Sequence, residues 1–89
     1  MSQFRFAFLI MAGDHDPARD RALISTPSCL SRIVGVSSLE EACRVAVQLV
    51  QSGEVDHIEL CGAFGREGAQ RVKAALGGAA AVGYMTYLE

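Results

Sequence analysis

No stretch of this 89-residue chain is crowded with lysine or arginine, and its formal net charge is −2 with a pI near 5.6. Nucleic-acid binding normally shows as a basic patch that neutralises phosphates, so nucleic acid is not an expected partner. Cysteine is sparse: Cys29, Cys43 and Cys61 are an odd, widely spaced set with no Cys-x-x-Cys pair. That excludes a zinc ribbon and a thioredoxin-type motif, and it fits a reducing cytosol better than a disulfide scaffold. Long apolar runs are missing too. The most apolar segment, Phe4 to Met11, is far short of the roughly 20 residues that span a bilayer. It lacks a small-residue cleavage site and runs straight into Gly13-Asp14-His15-Asp16, so it is read as a strand and not a signal peptide. The expected location is cytoplasmic, with no membrane partner. No cofactor is expected either, because no Walker loop or dinucleotide G-x-G-x-x-G is present.

What the chain does have is apolar excess. Hydrophobic residues make up 51% of it, slightly above the roughly 45–50% of a soluble domain. A chain this short buries only about 60–65% of the surface its unfolded form exposes, so its core is thin. Self-association is the natural outlet, and a homo-oligomer is expected.

Read in order, FRFAFLIM sets Phe4, Phe6, Phe8 and Ile10 on one face and Arg5, Ala7, Leu9 and Met11 on the other. Beyond Arg5 both faces are apolar, which predicts a central strand covered on both sides. Asp16-Pro17 suits a short helical turn. Arg21 to Thr26 is ambiguous between helix and strand; as a strand it would turn at Pro27-Ser28. Arg32 to Val36 predicts a strand that ends at Ser37-Ser38. Ser37 with Glu40, or Ser38 with Glu41, forms a capping box for a helix that Gly53 closes. Leu39, Ala42, Cys43, Ala46, Leu49 and Val50 form its stripe; Val45 and Val47 lie off it, which predicts that a second face is partly covered too. Asp56 to Cys61 predicts a strand, Gly65 to Gly77-Gly78 a helix with Ala69, Val72 and Leu76 buried, and Ala80 to Tyr87 a last strand. The expected fold is α/β: a single domain over residues 1–89, with a mostly parallel sheet of four or five strands, two main helices and two successive βαβ units.

FRFAFLIM, VGVSSLEEA, IELCGAFGREGA and the terminal VGY together resemble a family of small bacterial domains of unknown function. The likeness covers most of the chain, and IELCGAFG is its most specific part. It implies one compact bacterial domain and brings no activity, cofactor or catalytic residue with it.

Candidate chemistry therefore rests on the residues themselves. In open parallel sheets, ligands bind beyond the carboxyl ends of the strands. Those ends carry Gly13 to Asp16, Ser37-Ser38, Gly62 to Arg66 and Thr86-Tyr87. The turn from Gly62 to Gly68 is the sharpest of them. Its glycines allow close backbone approach, and a helix start offers free amides. Arg66 stands in the first helical turn, where the helix dipole disfavours a cation unless an anion is present. Gly62, Phe64, Gly65 and Arg66, with Asp14 and Ser37, are the candidate ligand-binding residues, and an anionic or polar small molecule is the candidate ligand. Glu59 is a candidate general base, with Cys61 as a nearby thiol, and His15 suits proton transfer at neutral pH. The competing reading is an assembly module in which Glu59 and the aromatics serve subunit contacts. Phe64 reads either as a core plug or as a lid, and no metal site has a recognised ligand spacing.

Overall fold

The computed structural model describes residues 3–88. The chain forms β1 (Phe4–Met11), β2 (Arg21–Thr26), β3 (Cys29–Val36), α1 (Leu39–Gln51), β4 (His57–Leu60), α2 (Gly65–Leu76) and β5 (Ala81–Tyr84). It is a small α/β domain built on a five-stranded mixed sheet of order β2-β3-β1-β4-β5. β1 pairs in parallel with β3 and β4, and β4 in parallel with β5. β2 alone is antiparallel, joined to β3 through Pro27-Ser28. The ambiguous segment Arg21–Thr26 is thus the outer arm of a hairpin.

Topology decides where the core lies. The connection from β3 to β4 passes over β1, and the connection from β4 to β5 moves one strand further the same way. Two right-handed crossovers in one direction put both helices on one face of the sheet. The burial pattern agrees. Ala7, Leu9, Val34, Val36, Ile58 and Leu60 are almost wholly buried, in one cluster with Ala42, Val45, Ala46, Leu49, Ala69, Val72 and Leu76 from the helices. The strand residues between them do not join it: Phe6, Phe8, Ile10 and Ile33 are only half-buried, and Glu59 is exposed. β1 is the central strand, as its composition predicts, but it is covered on one side and not two. Its phenylalanine face carries no layer among the described residues.

Local chemistry explains most boundaries. Asp16 starts a single helical turn, its carboxylate accepting from the Ala18 amide at 2.9 Å and its carbonyl from Asp20 at 2.7 Å. Gly77 ends α2 at φ 58°, a left-handed cap that suits glycine. Val45 lies inside the core, as a second covered face of the helix requires, because α1 meets both the sheet and α2. Three expectations need correction. β3 begins at Cys29, because the β2 hairpin pairs it that far back. β4 ends at Leu60, which leaves Cys61 outside the strand and packed against the core, not beside Glu59. β5 ends at Tyr84 rather than Tyr87.

Candidate functional site

The two helices begin in different ways. At α1, the Ser38 hydroxyl accepts from the Glu41 amide at 3.1 Å. The Glu41 carboxylate in turn accepts from the amide and hydroxyl of Ser37, at 2.7 and 2.8 Å. These two bonds from Ser37, backbone first, hold the Glu41 carboxyl below its usual range. Ser37 is therefore committed to Glu41, one residue further out than a standard capping box reaches.

At α2 the cap position is Phe64, which makes no side-chain cap bond. Its ring is spent on the core: Phe64 is 6% exposed and lies over Gly68 and Leu39. Between plug and lid, the plug is what is observed. Gly65 follows at φ 63°, a left-handed conformation that a side chain would strain. The Phe64 amide donates to the Cys61 carbonyl, and the Phe64 carbonyl accepts from Gly68. The amides of Gly65, Arg66 and Glu67 have no acceptor among the described residues. Helix starts leave such donors open by construction.

Beside this end runs a cavity of about 350 Å3 between α2 and β5, lined by Arg66, Ala69, Gln70, Lys73, Val82 and Tyr84. Arg66, Gln70 and Lys73 recur at helical spacing along one flank of α2. Neither Arg66 nor Lys73 forms an ion pair among the described residues, while Arg5, Arg19, Arg32 and Arg44 each do. Glu67, the acid of the first turn, lines a different groove with Leu39, Gln70, Arg71 and Ala74. What the sequence does not show is that the β5 side of α2 collects Gln70, Lys73 and Tyr84 around Arg66.

The remaining candidates lie apart from this cavity. Asp14 and His15 line a separate hollow at the ends of β1 and β3, with Ile10, Arg19, Asp20 and Ile33. His15 lies against Gly35, where an added Cβ would stand 2.9 Å from Nδ1, and that nitrogen is buried without a partner. Arg19 binds Asp20 at 2.7 Å, and this bond, with the Asp16 amide, lowers the Asp20 carboxyl to about 2. Glu59 projects from the bare sheet face over Gly83, whose missing side chain leaves room for the carboxylate. His57 packs against Phe4 with its ring tilted by 51°, centroids 4.5 Å apart, and its Nδ1 lies 2.9 Å from Asp56. That contact, ahead of the Arg5 bond, lowers the Asp56 carboxyl. Tyr87 lies across Gly62. No single cavity gathers His15, Glu59 and Cys61, and among the described residues no three His, Cys, Asp or Glu side chains form a group able to hold a metal ion.

The sequence matches a family of unknown function over residues 4–89, all but the first three residues. The chain belongs to the DUF6506 family. No characterised protein and no solved structure matched it. The DUF6506 assignment agrees with the resemblance carried by IELCGAFG, the segment that becomes β4 and the glycine turn. Among the described residues, no helix is long and apolar enough to cross a membrane.

Proposed function

We propose that this DUF6506 domain binds an anionic small molecule, a phosphate or carboxylate compound, at the start of α2. One observation carries the reading: Arg66 and Lys73, without acidic partners among the described residues, line one cavity with Gln70 and Tyr84, and the Arg66 amide is among those left open at the helix start. Backbone donors and the helix dipole favour negative charge there, and an anion would remove the unfavourable placement of Arg66. The cavity lies at the lower end of the about 300–1,000 Å3 range of small-molecule sites, so a compact ligand fits better than a dinucleotide. A ligand that binds only the folded state adds about 2.7 kcal/mol at a hundredfold excess over Kd. In a domain this small the melting temperature then rises by roughly 10 °C or more.

The test is a thermal-shift panel of inorganic phosphate and phosphorylated or carboxylated metabolites, beside neutral compounds at matched ionic strength. A site ligand raises the melting temperature of the wild type and loses that effect in Arg66→Ala and Lys73→Ala. If no anion shifts the wild type, or if shifts ignore both substitutions, the proposal fails. The bare sheet face supports a second activity, assembly, which rests on different residues.

A further inference from the structure

The strands carry their arginines on one side only. Arg5, Arg21 and Arg32 share the helix-side alternation of Ala7 and Val34, and each is in register with a neighbour on that side. The opposite side carries Phe4, Phe6, Phe8, Ile10, Ile24 and Ile33, of which Phe4 is 45% and Ile24 60% exposed. Glu59 is the one carboxylate that the strands point to this face. It stands in register with Phe8 on one side and Gly83 on the other, so it borders the apolar cluster of β1, β2 and β3. No lysine or arginine of the strands shares the alternation of this face, and Arg19, beside Ile10 and Ile33 at its end, is paired with Asp20. Its chemistry suits another apolar, nearly uncharged sheet.

We infer that this face is the contact between two copies of the chain, packed sheet on sheet about a two-fold axis, with Phe8 and Ile33 at its centre. Size supports a second copy over a small ligand. Five strands about 4.8 Å apart, the longest with eight residues rising about 3.3 Å each, give a projected face on the order of 500 Å2. That projection is a substantial share of the roughly 800 Å2 per partner that a standard stable interface buries. Two-fold pairing is the commonest way for a surface to complement itself. Stacked sheets sit about 10 Å apart, close enough for the phenylalanines of the two copies to interdigitate. Burial of this face also gives the 51% apolar content a place that the helix-side core does not supply.

Light scattering and sedimentation equilibrium over roughly 1–100 µM test the inference. The wild type should sediment at twice 9.5 kDa. Phe8→Glu and Ile33→Glu should weaken the dimer at least about thirtyfold, the size expected of a central contact residue. Both side chains lie off the core cluster, so far-UV dichroism and cooperative melting should persist. Ile24→Glu guards against misfolding, since that side chain is already more than half exposed; it too should weaken the dimer. A wild-type monomer at 100 µM would overturn the inference, with or without binding to neutral lipid vesicles. So would a dimer indifferent to all three substitutions, because it would use another surface.

Discussion

The two helix starts of this domain solve one problem in opposite ways. α1 caps the Glu41 amide with Ser38, ties Glu41 back to Ser37, and answers the dipole with Glu40 and Glu41. α2 gives its cap position to a buried phenylalanine, bends through a left-handed glycine, and puts Arg66 where the dipole resists it. A helix end that carries two carboxylates in its first turn repels an anionic ligand. An end held by packing instead of capping keeps its donors free. The contrast teaches that stability at the start of α2 comes from the core below, which leaves the end itself available for binding.

The largest expected effect tests that division. Phe64→Ala should destabilise the fold by about 3–5 kcal/mol in denaturant melts, as deletion of a buried aromatic ring does. Its counterpart at α1, Ser38→Ala, should cost only about 1 kcal/mol, because it removes a cap and no core. Similar losses at both positions would erase the contrast. Gly65→Ala falls between them, at about 1–2 kcal/mol, since it forces a side chain into φ 63°.

Acid separates the two ends as well. The Glu41 carboxyl is depressed by its bonds from Ser37. Its contribution is therefore complete above the ordinary value of 4.5 and fades as pH falls through the lower folded value. The start of α2 has no such bonded carboxylate. Amide exchange should show Leu39 to Ala42 loosening first below pH 4.5, and simultaneous loosening of both ends would contradict this. The smallest effect is also the most pointed. Arg66→Glu should stabilise the ligand-free protein by about 0.3–1 kcal/mol, by placing an anion where the dipole favours one. A destabilised variant would mean that Arg66 serves the fold.

Much of this was legible in the residues. Ser-Ser-x-x-Glu marked the start of α1 and Gly77-Gly78 the end of α2, because caps are local chemistry. Ala69, Val72 and Leu76 marked the buried stripe of α2 for the same reason. The bare face was not legible. Phe4, Phe6, Phe8 and Ile10 look as buried in sequence as Ala7 and Leu9, and only strand order reveals that both crossovers run the same way. The position of Cys61 was missed because the strand ends one residue before it, and alternation stops there. Arg66 and the glycine turn were visible as a candidate site. Lys73, Gln70 and Tyr84 were not, since their meeting depends on β5 lying beside α2.

On the proposed reading, an anion tells the two helix starts apart. Inorganic phosphate, titrated into the native protein at constant ionic strength and followed through the backbone amide resonances, tests this. Saturable shifts are expected at Gly65, Arg66 and Glu67, none at Leu39 to Glu41, and loss of those shifts in Arg66→Glu. Equal, non-saturating shifts at both helix starts, or persistence of the α2 shifts in Arg66→Glu, would contradict it.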